Sequence, residues 1–363
     1  MGMFCIPLCA QTAESVNKSQ GQVEPTYLSG EKIKVGELPG AYNQSASYVC
    51  NDGWDVDVTA DYVYWKWQQD SLQLGTVVAG GSLLNVISLD GDSYAVFQNP
   101  GYKSGFQVGV GFNMPGMDDW HLYSEYTCYR NTDNNILTTS VAHPFVFSGT
   151  RSPESELQFL SYSGTITSEA KLGFQSLDFL VERSFYSGKK LTADIGVGLR
   201  SQWISQKLSS SSPFLVDETF GNLTISNLSF VYHMKSWGLG PKLMLNTNWL
   251  LGYGIKALAN FGTSILYTQY NSRNSHDQNI PIVGVLSSRE KGLDNYGTLR
   301  AVTEAFLGLG WGSYFCNDRF YTDLSVGYDF NVFWDYNMMF AASSQTIGSM
   351  YLHGMNIQLR FDF

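Results

Sequence analysis

The last segment of the chain, residues 347–363, limits the fold more than any other feature of the sequence. Apolar and aromatic residues occupy alternate positions from Ile347 to Phe363, interrupted at Ser349, while glycine and polar residues dominate the opposite face. A period of two indicates a β-strand, and this strand is longer than is usual in soluble proteins. The pattern is typical of a transmembrane β-barrel strand, with lipid on one face and a polar lumen on the other.

The terminal aromatic pattern also bears on localisation. We interpret it as the signal that outer-membrane barrel assembly machinery recognises, so we expect that machinery and outer membrane lipid as partners, and the bacterial cell outer membrane as the location. The residues assigned to this assembly signal are Ile357, Leu359, Phe361 and Phe363.

The same alternation recurs along the chain and predicts an all-β fold, a transmembrane antiparallel β-barrel of ten strands. Two further segments, LQLGTVVAG within 69–101 and TSVAHPFVF within 132–167, leave twelve strands as the alternative. The ten predicted strands are 54–68, 102–113, 119–131, 168–183, 190–204, 228–248, 252–270, 299–311, 318–335 and 347–363.

The predicted connections fall into two classes. Short turns such as MPGMDD and YFCND alternate with long loops at 69–101, 132–167, 207–227, 271–298 and 336–346. Short periplasmic turns and long extracellular loops are the arrangement of bacterial outer-membrane barrels.

Composition agrees with this fold class. Charged residues make up 15% of the chain, aromatic residues also 15%, and glycine occurs 36 times. No apolar run approaches 18 residues, which argues against a transmembrane helix. The net charge of −10 argues against a nucleic-acid partner, because binding to phosphates needs a basic surface.

The chain divides into three parts. Residues 1–10 resemble a truncated signal peptide that lacks its basic start. Residues 11–53 show no periodicity, so we expect either a periplasmic segment or one that folds into the lumen. Residues 54–363 form the predicted barrel.

Removal of residues 1–10 would leave three cysteines, Cys50, Cys128 and Cys316. Cys50 precedes the first strand and Cys316 lies in the last short turn, so both are placed on the oxidising periplasmic side. A disulfide between Cys50 and Cys316 is one hypothesis, and free thiols are the alternative.

The predicted lumen carries charged residues of both signs. Such groups either pair across strands and plug the barrel or line a water-filled passage. Inward-facing glycines are expected to leave some of the lumen free. The pore-lining candidates are Lys103, Glu125, Asp178, Glu182, Asp194, Arg200, Lys242, Lys256, Arg300, Glu304, Asp323, Asp329 and Arg360.

Six tryptophans fall at or near the ends of predicted strands. Amphipathic rings in such places anchor a barrel at the level of the lipid headgroups. These interface candidates are Trp54, Trp120, Trp237, Trp249, Trp311 and Trp334.

We expect no catalytic residue, cofactor or metal site. The cysteines and histidines lack metal-ligand spacing, and the dipeptide His276-Asp277 is interpreted as part of a solvated loop rather than half of a catalytic pair.

Two stretches carry a family resemblance. TADYVYWKWQQDSL (59–72) and NPGYKSGFQVGVGFNMPGMDDWHLYSEYTCY (99–129) resemble the major outer membrane protein family of Legionella and the chlamydia-like bacteria, with weaker similarity in 191–204, 237–254 and 305–312. The resemblance implies an abundant pore-forming protein. Chlamydial members are cysteine-rich and cross-linked, and this chain departs from them in its few cysteines.

Pattern and resemblance together predict a porin-like protein that forms a passive diffusion pore for ions and small hydrophilic solutes. The alternative is a non-conducting structural barrel whose extracellular loops mediate adhesion, for example to a host surface. Ion preference and oligomeric state stay open.

Overall fold

The computed structural model describes residues 45–48, 50, 53–70, 72–78, 93–114, 120–139, 145–147, 160–161, 164–217, 223–280, 285–338 and 348–363. These residues contain fourteen strands, and no described helix has the length and hydropathy to span a membrane. In chain order the strands are β1 (Val56–Gln69), β2 (Gln73–Val78), β3 (Ser93–Phe97), β4 (Tyr102–Asn113), β5 (Trp120–Thr139), β6 (Phe145–Phe147), β7 (Leu160–Ser161), β8 (Gly164–Tyr186), β9 (Leu191–Asp217), β10 (Leu223–Gly252), β11 (Ile255–Ile280), β12 (Val285–Phe315), β13 (Phe320–Asn337) and β14 (Gly348–Asp362).

Ten of these strands close into an antiparallel barrel, which confirms the predicted fold. The ring order is β1-β14-β13-β12-β11-β10-β9-β8-β5-β4, and β4 returns to β1. The alternative of twelve barrel strands is wrong. The two segments that suggested it contribute β2 and β6 to a separate four-stranded sheet of order β3-β2-β6-β7.

Pairing between β1 and β14 closes the barrel. Thirteen residue pairs join the two strands, from Asp57 opposite Asp362 to Gln69 opposite Met350. Beyond the ladder, the Trp54 amide donates to the Phe363 carbonyl at 2.9 Å. The ring therefore has no free edge, which a lipid-embedded sheet requires.

The predicted alternation holds through the middle of each wall. Val108 and Val110 on β4, and Leu307 and Leu309 on β12, are exposed on the outer face. Their neighbours in sequence point into the lumen, where Gly109 is buried. We call the barrel end with the chain's short turns the turn rim and the opposite end the loop rim.

The predicted long loops at 207–227 and 271–298 are wrong, because strands occupy most of both segments. β9 pairs with β10 from Trp249 opposite Leu191 to Leu223 opposite Asp217. β11 and β12 likewise pair as far as Ile280 opposite Val285. Beyond the membrane both faces of a strand meet water, so the apolar alternation disappears from the sequence while the backbone ladder continues.

The turn rim is built from tight connections. Between β10 and β11, Gly252, Tyr253 and Gly254 all have positive φ values, at 113°, 54° and 78°. Glycine adopts such angles without steric cost, which explains the LGYG sequence at this turn.

Candidate functional site: the barrel lumen

Two oppositely charged pairs meet in the middle of the lumen. Asp178 on β8 accepts hydrogen bonds from Arg200 Nε and Nη2 at 2.7 and 2.6 Å, and from Lys242 Nζ at 2.7 Å. Glu304 on β12 pairs with Arg200 and, at 2.7 Å, with Lys242. We call these four residues the central ion network. Two cations balance two carboxylates, so the buried charges are mutually neutralised.

A second cluster lies nearer the turn rim and centres on His121. Its Nε2 lies 2.6 Å from Asp57 Oδ1, and its Nδ1 lies 3.5 Å from Glu182 Oε2. Arg360 Nη2 is 3.4 Å from the same Asp57 oxygen and 2.6 Å from Asp362. Both ring nitrogens face carboxylates, so neither is directed at a site where a substrate could bind.

The His121 cluster is a site that sequence reasoning missed. Asp57 and Glu182 lie on β1 and β8, far from His121 in sequence, and no local motif links them. Glu182 stands directly opposite His121 in the β5–β8 register. The cluster could therefore have been predicted only from the strand registers, which place His121 and Glu182 side by side.

Residues before β1 enter the turn-rim mouth of the lumen. The Tyr48 ring stacks on Tyr321 with a centroid distance of 4.1 Å, and Lys256 Nζ donates to Tyr48 Oη at 3.2 Å. The Arg360 guanidinium lies 5.2 Å from the same ring, and Ala46 N donates to the carbonyl of Ser184 at 3.2 Å. Part of the segment predicted as periplasmic or luminal thus contacts luminal side chains.

A small cavity of about 100 Å³ lies beside the central ion network. Asp61, Glu125 and Asp329 line it, together with Asn260 and Asn356. These three carboxylates accept hydrogen bonds, such as Asn356 Nδ2 to Asp329 at 2.9 Å and Tyr123 Oη to Glu125 at 3.0 Å. Among the described residues none of the three has an ion-pair partner, so the cavity carries an excess of acidic groups.

Two luminal glycines, Gly109 and Gly111, leave room for the side chains of Tyr123 and His121 rather than for an open channel. A Cβ on Gly109 would lie 2.2 Å from Tyr123 Oη, and one on Gly111 would lie 2.1 Å from His121 Nε2. The expectation that inward glycines open the lumen is wrong at these two positions, because neighbouring side chains occupy the space.

Toward the loop rim the luminal face becomes apolar. Phe333 contacts Phe174 and Tyr336, with ring centroids 5.4 and 5.9 Å apart. Met350 and Leu352 on β14 are fully buried in the same cluster. We call this part of the lumen the apolar half. The central ion network, the His121 cluster and the cavity form the charged half.

The pore-lining candidates take different places. Lys103 lies at the loop-rim end of β4 and is exposed, and Arg300 borders the apolar half, where its Nε donates to Tyr270 Oη at 3.3 Å. Lys256 and Asp323 form an ion pair of 2.8 Å. Four luminal polar residues of the charged half were not predicted to line the pore: Asp57, Asp61, His121 and Asn356. The remaining candidates lie on the luminal face of the charged half: Glu125, Asp178, Glu182, Asp194, Arg200, Lys242, Glu304, Asp329 and Arg360.

The interface tryptophans are all exposed. Trp54 is the most open, at 81%. Trp65 and Trp67 instead point into the lumen, where Trp65 Nε1 donates to Asp329 at 3.1 Å. The other exposed members of the predicted set are Trp120, Trp237, Trp249, Trp311 and Trp334.

The hypothesised disulfide is not formed in the structure. Cys50, Cys128 and Cys316 are all free. Cys316 is exposed in a turn with a left-handed backbone, whereas Cys50 is partly buried at the barrel end. Burial and the nearby Asp362 carboxylate raise the pKa of the Cys50 thiol.

The predicted loop position of His276-Asp277 is also wrong, because both residues lie in β11. Their side chains lie outside the described part of the structure. Within that part, no group of three His, Cys, Asp or Glu side chains is arranged to hold a metal ion.

The family model for the Legionella pneumophila major outer membrane protein precursor matches residues 40–363. The chain belongs to this major outer membrane protein family. The match confirms the family resemblance and the bacterial outer membrane location. It spans every barrel strand, as well as the residues that enter the turn-rim mouth.

Comparison with curated protein sequences finds no match. Among solved structures, the outer membrane protease OmpT from Escherichia coli is 8% identical, with 85% of this chain and 96% of that chain covered and a TM-score of 0.39. The toluene transporter TodX from P. putida is 10% identical, with 86% and 91% covered and a TM-score of 0.33.

Proposed function

We propose that this family member is a porin-like protein that forms a narrow passive pore for ions and small hydrophilic solutes. The observation that carries the proposal is the polar cavity inside the barrel. Asp61 Oδ1, Asn260 Oδ1 and Asn356 Oδ1 are buried there without a hydrogen-bond partner among the described residues. Buried polar atoms of this kind are normally satisfied by water.

A hydrated lumen lined by charges also implies ion preference. The central ion network is neutral, whereas Asp61, Glu125 and Asp329 are acidic groups beside it that supply negative charge when they are ionised. Rings of carboxylates favour cations in pores. We therefore propose a preference for small cations over anions.

Side chains occupy the lumen on both sides of the cavity. Tyr48 lies in the turn-rim mouth, and the apolar half closes toward the loop rim. We therefore expect low unitary conductance, with openings that require these side chains to move.

Single-channel recording of the folded, heat-modifiable protein in a planar bilayer tests the proposal. We expect discrete small steps and a reversal potential of cation-selective sign in a KCl gradient. Tyr48→Ala removes the ring from the mouth and should raise the conductance, while Ser47→Ala is the matched control. Asp61→Asn should weaken the cation preference.

The second candidate is a non-conducting structural barrel with functional extracellular loops, for example for adhesion to a host surface. The buried apolar half favours it, because a packed aromatic cluster excludes water. A folded protein that gives no steps, with or without Tyr48→Ala, would support this candidate. Under either proposal we expect no enzymatic activity.

A further inference from the structure

The outer wall of the barrel carries an uneven distribution of positive charge. On the wall formed by β5, β8, β9, β10 and β11, five cationic side chains point outward beyond the mid-wall apolar band. We call them the basic patch. Its members are Arg130, Lys171, Lys207, Lys235 and Arg273.

Strand registers bring the patch together in two adjacent rows. In the first row Arg130 is opposite Gly173, which is opposite Ser205, and Ser205 is opposite Lys235. The second row lies one step closer to the loop rim. There Lys171 is opposite Lys207, and His233 on β10 is opposite both Lys207 on β9 and Arg273 on β11. Directly opposed residues on one face have Cβ atoms about 4.5–5.5 Å apart.

The depth of the patch follows from the tryptophans below it. Trp237 and Trp249 both point outward on β10, twelve positions apart, and the outward-facing residues between them are uncharged. At about 3.3 Å per residue and a tilt of about 40°, they lie roughly 30 Å apart across the membrane. This spacing is close to that expected between the two aromatic girdles of a barrel.

Lys235 lies two residues beyond Trp237, on the loop-rim side. The patch therefore lies at the headgroup level of the leaflet facing the long loops, which in an outer-membrane barrel is the outer leaflet. Below it, Trp203 and Trp237 stand side by side, and Trp237 Nε1 donates to Gln269 Oε1 at 3.1 Å.

The wall is also recessed at this level. A groove of about 620 Å³ is bordered by Arg130, Trp203, Lys235, Trp237 and Asn271. Gly173 leaves part of it open, because a Cβ there would meet only the Ser205 carbonyl, at 4.0 Å. Among the described side chains, two carboxylates border the patch: Glu169 pairs with Lys171 at 2.9 Å, and Asp294 accepts from Asn271 at 3.2 Å. Of the five cations, Arg130 and Lys235 border the groove itself, and Lys171, Lys207 and Arg273 lie in the row above it.

We infer that the basic patch binds the phosphate groups of the phosphorylated glycolipid that forms the outer leaflet, lipopolysaccharide, with acyl chains lying along the tryptophans below. Lysine and arginine form charge-assisted hydrogen bonds with phosphate, and aromatic rings settle at the boundary between headgroup and acyl chain. The chain as a whole has a net charge of −10, so this local excess of cations departs from the overall composition. The inference needs only the outer membrane location and is independent of pore formation.

Native mass spectrometry of the full-length folded protein with bis-phosphorylated lipid A tests the inference. The triple variant Lys207→Gln/Lys235→Gln/Arg273→Gln removes three charges from the patch. The matched control, Lys66→Gln/Lys189→Gln/Lys190→Gln, removes three charges from other exposed or partly exposed positions. Heat modifiability on a gel verifies that both variants are folded.

We expect the patch variant to bind lipid A roughly tenfold more weakly than the original protein, because several charge-assisted contacts are lost. The control variant should bind as the original does, and dephosphorylated lipid A should bind the original weakly. Equal binding by the patch variant, equal weakening in the control variant, or tight binding of dephosphorylated lipid A would each overturn the inference.

Discussion

The two halves of the lumen share the same ten strands but are stabilised by different interactions. In the charged half, Arg200 and Lys242 are held by Asp178 and Glu304, and each of these four charges depends on a partner from another strand. In the apolar half, Phe333 and Leu352 pack like the core of a soluble domain. A barrel lumen is therefore not uniformly polar, and its two ends should respond differently to substitution.

The largest expected effect is in the charged half. Arg200→Met leaves Asp178 and Glu304 with one cation in place of two, and breaking a buried ion pair typically costs about 3–5 kcal/mol. Urea unfolding of the protein in lipid vesicles measures this loss. Arg130→Met, on the exposed outer face, is the control and should change stability little. Equal effects of the two variants would contradict the interdependence of the buried charges.

In the apolar half, removing side-chain volume should leave a cavity. Leu352→Ala, at a fully buried luminal position, should destabilise the barrel by about 2–5 kcal/mol. Leu307→Ala is the control, because Leu307 is 67% exposed on the outer face. The same unfolding measurement compares the two.

Combining Leu352→Ala with Arg200→Met tests whether the halves are independent. Distant sites without shared partners should add to within about 0.5 kcal/mol. A larger deviation would mean that the two halves form one cooperative unit.

A smaller effect is expected from adding volume in the charged half. Gly111→Val would force a side chain against His121 and Asp57, and overpacking typically costs about 1–3 kcal/mol. Gly173→Val, on the outer wall with open space around it, is the control. We expect that variant to be neutral or stabilising, because valine favours strands. Comparable losses in both variants would show that strand glycine itself, and not the luminal contact, is required.

The smallest effect concerns the turn-rim mouth. The thiolate is the reactive form of cysteine, and burial raises the pKa of Cys50, so Cys50 should be alkylated more slowly than exposed Cys316. The Cys50 rate should also keep rising with pH above the range where an ordinary thiol levels off. Mass spectrometry of the folded protein after timed alkylation gives both rates. Equal rates would place Cys50 in open solvent, and failure to label either residue would revive the disulfide.

The sequence allowed the barrel to be predicted because one physical constraint acts on every strand. Lipid contact requires apolar residues at alternate positions, as in Val108 and Val110, and that pattern is visible locally. Where lipid contact ends, the alternation of apolar residues in the sequence ends as well. The extensions of β9 to β12 were therefore predicted as loops.

The luminal site was less predictable, because its partners are set by register. Arg200 and Glu304 are 104 residues apart and meet only after several strands have paired. Asp57 and Asp61 both lie on the luminal face of β1, together with the other odd-numbered residues of that strand. The alternation along β1 would therefore have been enough to place them inside the barrel. Leu352 shows the opposite difficulty, because an apolar residue on the luminal face contradicts the simple expectation of a polar interior.

The length of β10 has a consequence for isotope exchange. Its ladder with β9 runs without interruption from lipid into water and crosses the headgroup level near Trp237. Backbone amides above and below the headgroup level both pair with β9, but only those above it are in contact with water. A profile of deuterium uptake along this strand should therefore contain a step, and the residue at which the step falls would report the thickness of the membrane around the protein.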